Sequence, residues 1–441
     1  MELLYLLLAV VVIIVLTTKL RLHPFLALLG VSLCYGILSG MEPRALILAV
    51  NEGFGGTLGK IGLIIVLGVI IGAFLEHSGG ARTLASTVLR WIGSRRIPLA
   101  MGVLGYVVSI PVFCDSGFML LDPLAKSLSR KAGISLAGAA IALGLGLMVS
   151  HTLVPPTPGP IAAAGILGAD LGLVILYAFP ISLLALIAGV LFASRYAQRT
   201  PLDAGKEAAE VPSSHPAHRP PGFLKSVLPI VVPILLIVLK SALVRDTEIT
   251  GIIALVDFLG EPVIALLIGM MLSLLLPARL SSEMLSSGGW VGKAIMSAAS
   301  ILLITGAGGI FGTVLQRSGI AETLGQSLAQ YELGIWLPFL LAAALKTAQG
   351  SSTVALITAA SILLPLMPAL GLDTDTGKAL AVVALGAGSS VFSHANDSFF
   401  WVVTQMSGMD VKTGYRLFGS GTMLIGLTAA TGVWLCSLLL G

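Results

Sequence analysis

The chain has 441 residues, 56% of them hydrophobic and 10% charged, and a mean hydropathy of +1.01. A water-soluble domain carries about 25% charged residues to cover its surface, so a soluble fold is excluded. The net charge of +4 is what basic loops on one membrane face produce, and it does not require a nucleic-acid partner.

Apolar blocks run at 3–18, 22–40, 59–78, 98–129, 134–170, 172–194, 225–245, 252–277, 293–316, 333–367, 378–406 and 416–440. A bilayer is crossed by about 20 apolar residues as helix, and the short alternating strands of a barrel are absent. The chain reads as an all-α polytopic membrane protein. The first block follows Glu2 and no cleavage site follows it, so it is expected to stay as the first helix and not to act as a signal peptide. Cys34, Cys114 and Cys436 lie in separate apolar blocks and form neither a disulfide framework nor a CxxC pair.

Residues 195–224 change composition, with Arg195, Arg199, Asp203, Lys206, Glu207, Glu210 and Arg219 among five prolines. They are expected to form a flexible aqueous linker between a first membrane unit (1–194) and a second (225–441). The two units are related. Offset by 240, GVIIGAFLEHSGGARTL (68–84) matches GGIFGTVLQRSGIAETL (308–324) at nine of seventeen positions, which marks an internal repeat. Repeated halves are characteristic of secondary transporters.

Four long blocks are interrupted. Block 98–129 carries Phe113-Cys114-Asp115-Ser116-Gly117, and block 333–367 carries Gln349-Gly350-Ser351-Ser352-Thr353. Arms of about 15 residues span about 22 Å, short of a 30 Å core, and predict re-entrant hairpins. Blocks 134–170 and 378–406 are broken by Val154 to Pro160 and by His394 to Ser398, and predict unwound helices. Each half then crosses about five times, so the second repeat is inverted. Eighteen Lys and Arg fall on one face and six on the other, which makes the first face cytoplasmic, with both termini outside and the linker inside.

Irregular backbone at membrane depth survives only where it is buried in protein or lines a wet cavity. Gly117 and Ser351 to Thr353 begin outgoing arms, whose free amides suit a carboxylate. Asp115, His151, His394 and Asp397 fall at or beside breaks, where an ionisable side chain is costly and marks a proton route. The plain alternatives are structural: an aspartate capping a half-helix, a histidine holding a backbone carbonyl. Lys346, four residues before the second tip, either attracts an anion or pairs with a nearby carboxylate. Asp122 is expected to pair with Lys126 one turn on. The chain has no HExxH, GxSxG or Walker sequence and no Cys/His cluster, hence no enzyme, metal or cofactor is expected.

FCDSGFMLLDPLAKSLSRKAG (113–133), SHTLVPPTPGPIAAAGILGADLG (150–172), LKTAQGSSTVALITAA (345–360) and GAGSSVFSHANDSFFW (386–401) together resemble the gluconate permease family of bacterial proton symporters. The resemblance runs along essentially the whole chain. It implies an ion-transporter-superfamily fold of inverted repeats with two hairpins and two unwound helices, and transport of gluconate, related hydroxy acids or D-serine. It maps an acidic tip position onto Asp115, a basic position onto Lys346, the first break onto Pro155 to Pro160, and the second onto Ser393, His394, Asn396 and Asp397. Thr157 departs from the histidine and Phe399 from the glycine common in the family.

The expected function is proton-coupled uptake of a small hydroxy-monocarboxylate across the bacterial inner membrane by alternating access. Expected substrate contacts are Ser116, Gly117, Thr157, Gly350, Ser351, Ser352, Thr353, Lys346, Ser393 and Asn396. Asp115, His151, His394 and Asp397 are the expected proton-coupling groups. Partners are the organic acid, protons and the bilayer, with homo-oligomerisation compatible. Rivals are a sodium-coupled carboxylate carrier of the same architecture, a cation/proton antiporter and a non-transporting scaffold.

Overall fold

The computed structural model describes residues 2–93, 96–203, 220–244, 251–319 and 333–440. Every regular element among them is helical. The first half holds α1 (Glu2–Thr18), α2 (Pro24–Leu38), α3 (Pro43–His77), α4 (Gly80–Ile92), α5 (Ile97–Ser109), α6 (Cys114–Ala132), α7 (Leu136–Leu153), α8 (Pro158–Leu167) and α9 (Leu171–Arg195). The second holds α10 (Phe223–Leu243), α11 (Ile252–Leu259), α12 (Pro262–Ser273), α13 (Trp290–Arg317), α14 (Trp336–Gln349), α15 (Ser352–Leu363), α16 (Asp375–Ser389), α17 (Ser398–Met406) and α18 (Ser420–Leu440). Among the described residues six helical stretches are long and apolar enough to cross a bilayer, seven if α11 and α12, bent by 71°, count as one. The protein is a multi-pass membrane protein.

Prolines and short polar side chains set the boundaries. Pro24, Pro43, Pro98, Pro158 and Pro262 stand at the first positions of their helices, where a missing N–H is no loss. Ser135 and Asp170 cap α7 and α9, accepting from Ala137 N at 3.2 Å and Leu173 N at 2.8 Å. Block 98–129 breaks earlier than its sequence suggests. Pro111 has no N–H and disfavours helix at the residue before it, so α5 stops at Ser109 and Cys114 to Gly117 form the first turn of α6. The two later breaks occupy 154–157 and 390–397.

The succession of elements recurs. Adding 240 to the ranges of α3, α5, α7 and α8 gives 283–317, 337–349, 376–393 and 398–407, against 290–317, 336–349, 375–389 and 398–406 for α13, α14, α16 and α17. The Gly- and Ala-rich α7 and α16 form the centre, buried from Leu136 to Ser150 and from Ala379 to Ser389.

The counterparts α3 and α13 pack on each other. Glu52 pairs with Arg317, tying the start of α3 to the end of α13. Phe74 and His77 stand on Trp290, each with ring centroids 5.3 Å apart, tying the end of α3 to the start of α13. The two helices therefore run antiparallel. Next to Glu52, a side chain on Gly53 would meet Ile310 Cα at 2.7 Å and collide with Gly309 O, so only small residues allow the backbones this close.

The start of the interhalf segment is packed. Ala197 is buried, and the Ser135 hydroxyl donates to Thr200 O at 2.6 Å and accepts from Leu202 N at 3.2 Å. Residues 204–219 of that segment, residues 320–324 of the repeat match, and Arg95 and Arg245 of the charge count lie outside the described residues.

Candidate functional site

Each of the tips at 110–113 and 350–351, where the chain breaks between two short helices, faces the break of the other half. α15 packs on α8, and α6 packs on α17. Between them lies a cavity of about 180 Å³ walled by Phe113, Cys114, Asp115, Met148, His151, Ser351, Ser352, Thr353, Asp397, Ser398 and Phe399. A smaller void of about 20 Å³, walled by Phe113, His151, Pro156, Thr157 and Pro158 among others, has room for about one water. His151 borders both.

The chemistry of the larger cavity is divided between the halves. The second tip supplies Ser351, Ser352 and Thr353, where α15 begins. The Ser351 hydroxyl accepts from Val354 N at 3.3 Å, and the first amides of a helix have no acceptor within it. A helix start of this kind attracts negative charge. The first half supplies Asp115, in the first turn of α6, and His151, in the last turn of α7. Asp115 Oδ1 and His151 Nδ1 are buried without a hydrogen-bond partner. A buried polar atom left without a partner costs about 1–3 kcal/mol, and two of them on one cavity wall need a reason.

The second tip and the second break are bonded together behind the wall. Lys346, 1% exposed, donates to Asp397 Oδ2 at 2.7 Å and to Gly350 O. The Ser393 hydroxyl donates to the same Oδ2, and Asp397 Oδ1 caps α17, accepting from Phe399 N at 3.1 Å. His394 Nε2 donates to Thr347 O at 2.7 Å. Asn396 Nδ2 donates to Thr347 O at 2.9 Å and Ala348 O at 3.1 Å. An isolated charge at the bilayer centre costs about 2.5–3.5 kcal/mol or more, and removing one member of a buried pair costs about 3–5 kcal/mol.

Of the residues singled out from sequence, Asp115, His151, Ser351, Ser352, Thr353 and Asp397 line the cavity. Lys346, Gly350, Ser393, His394 and Asn396 make the tip–break contact behind it. Thr157 lines the smaller void and its hydroxyl donates to Val154 O at 2.7 Å. Ser116 and Gly117 belong to the first turn of α6, where a side chain at 117 would meet Leu147 Cδ2 at 2.6 Å. Lys346 is paired with a carboxylate, Asp397 caps a helix and His394 holds a carbonyl. Asp122 pairs with Lys126 at 2.7 Å as its spacing predicts.

Sequence reasoning missed Phe113, Cys114, Met148 and Ser398 as wall residues. Met148 stands three residues before His151 and shares its helix face, which was a usable signal. It also missed Gln349, whose amide atoms are both buried without a partner.

Comparison with known proteins agrees in scale and length. The profile of the GntP family permeases matches residues 1–439. The chain is 34% identical to a gluconate permease of Pseudomonas aeruginosa over 442 residues, covering 98% of this chain and 97% of the relative. It is 34% identical to the D-serine transporter DsdX of Escherichia coli K12, covering 99% and 98%. An L-idonate transporter of the same organism is 29% identical, covering 96% of each chain. The solved YdaH transporter of Alcanivorax borkumensis, described as having an unusual topology, aligns with a TM-score of 0.66 at 15% identity over 94% of this chain and 97% of its own, a likeness of fold.

Proposed function

The chain belongs to the GntP family of permeases, and from that premise we propose that this transporter of small organic acids is a proton-coupled importer of a small hydroxy-monocarboxylate. Gluconate, a related sugar acid, glycerate and D-serine are the candidates, moved inward by alternating access. The observation that carries this reading is the cavity walled by both tips, with a helix start and three hydroxyls from one half opposite a carboxylate and an imidazole from the other that each keep one buried atom without a partner.

The substrate carboxylate docks at Ser351 to Thr353, where amides and the helix start favour an anion. Its hydroxyls bond to the remaining wall, including Ser398. Asp115 and His151 exchange the proton, since each keeps an atom free at the cavity. Asp397 is held by Lys346, and His394 donates to Thr347. Proton binding at Asp115 removes a negative charge from the chamber that receives the anion, and this lowers the cost of loading both together.

The antiparallel packing of α3 on α13 supports an inverted repeat, with membrane units 1–194 and 225–441. The arms α5 and α14, 13 and 14 residues long, reach about 20 Å, which supports re-entrant hairpins. The excess of Lys and Arg on one face supports a cytoplasmic setting for that face and the interhalf segment, with both termini outside.

One proton carried with one monoanion is electroneutral, so each unit of inward pH gradient drives about tenfold accumulation and membrane potential adds nothing. Uptake into proteoliposomes, with the pH gradient varied and the potential clamped, tests this. Accumulation that follows the pH gradient and survives replacement of sodium is expected. Accumulation that vanishes without sodium transfers the reading to a sodium-coupled carrier, and uptake inhibited by external acid transfers it to an antiporter.

A further inference from the structure

Lys346 and Asp397 are the buried charges nearest the second tip, and the hydrogen bonds they make run to the protein itself. The ammonium serves Gly350 O and Asp397 Oδ2. The carboxylate also takes the Ser393 hydroxyl and the Phe399 amide. The last turn of α14 leaves carbonyls that no helix amide can reach, and the second break supplies their donors through His394 and Asn396. Gly350 has φ +84, and a side chain there would strike Asn396 O, so tip and break touch through backbone as well.

The first half lacks this arrangement. At the 240 offset, Lys346 corresponds to Tyr106, whose hydroxyl meets Ser182 Oγ of α9 at 2.7 Å and not its own break. Ser150, aligned with Ser393 through the shared Ser-His pair, has a buried hydroxyl without a partner. One tip is ionically clasped to its break and the other is not.

We infer that Lys346 and Asp397 are positioning residues, a charge clasp that makes the second tip and second break one rigid unit and holds the start of α15 at the cavity. The clasp leaves the transported charges to the unclasped half. That division of labour rests on the transport reading above, whereas the clasp itself does not.

Lys346→Met, Asp397→Asn and the apolar double variant Lys346→Met with Asp397→Leu test it in the full-length protein. Thermal unfolding in detergent and uptake in proteoliposomes are the two readouts. Each single variant is expected to lower the unfolding midpoint by about 5 °C and uptake roughly tenfold, since each leaves one buried charge alone. The double variant is expected to regain about half of the lost midpoint, because no buried charge is left alone while the α17 cap and the Ser393 partner are still missing, and to keep the pH-gradient dependence of the uptake that remains. Three results overturn the clasp: Asp397→Asn keeping its midpoint while losing gradient-driven accumulation, Lys346→Met keeping its midpoint while its KM rises about tenfold, or a double variant no more stable than either single. If the native protein carries none of the candidate acids but the midpoints follow the expected order, the clasp stands and the transport reading fails.

Discussion

Thr353 Oγ1 lies 3.5 Å from His151 Nε2, so the first turn of α15 in one half touches the last turn of α7 in the other. The contact sits on the cavity wall and joins a hydroxyl suited to the substrate with an imidazole suited to the proton. Thr353→Val keeps the shape and removes the hydroxyl. A hydrogen bond of this kind contributes about 1 kcal/mol, so KM for the transported acid is expected to rise about fivefold with maximal rate retained. Initial uptake rates over a substrate series check this.

Asp115→Asn is nearly isosteric and breaks no ion pair among the described residues. The protein is expected to keep its unfolding midpoint and its downhill exchange of substrate. Accumulation against a gradient is expected to disappear, so the concentration ratio flattens from about tenfold per pH unit to one. A variant that still accumulates substrate in response to an imposed pH gradient removes Asp115 as the carrier.

Gly53→Leu places a branched side chain against Gly309 O and Ile310 Cα, where no flexible atom can yield. Overpacking of this kind costs about 1–3 kcal/mol or more. A lower unfolding midpoint in detergent is expected, with KM unchanged in the fraction that folds, because the contact lies away from the cavity wall.

Phe399 closes one side of the cavity and stands edge-on to Phe118 and Phe418 at 6.1 and 5.5 Å. Phe399→Ala enlarges the chamber and loses packing worth about 3 kcal/mol. Competition by six-carbon acids relative to three-carbon acids is expected to improve roughly tenfold. An unchanged ranking of competitors means that Phe399 does not set substrate size.

The fold was legible because its signals are strong and local. Apolar length gave the helices, and the repeat at 68–84 and 308–324 anticipated the match between α3 and α13. Three of the four breaks announced themselves through Pro155 to Pro160, Gly350 and the charges at 394–397, whereas the first begins after Ser109, ahead of the Phe113 to Gly117 run. What sequence left open was which charge meets which. Lys346 and Asp397 are 51 residues apart, and nothing in local spacing distinguishes a cation facing a substrate from one facing a carboxylate. Only their juxtaposition shows that one such group is paired with a carboxylate while Asp115 and His151 keep atoms free. Phe113 was missed for a related reason: an apolar residue in an apolar block gives no sign of facing a cavity.

The seam between α3 and α13 has two ends of unlike chemistry. At one end Glu52 meets Arg317, an ion pair exposed enough to be screened by electrolyte. At the other end Trp290 meets Phe74 and His77 ring to ring, a contact that dissolved ions barely touch. In two identical subunits a two-fold axis would oblige both ends to be the same. A single chain holding both copies is free of that rule, so a rise in ionic strength loosens the seam at one membrane face and leaves the opposite face fastened.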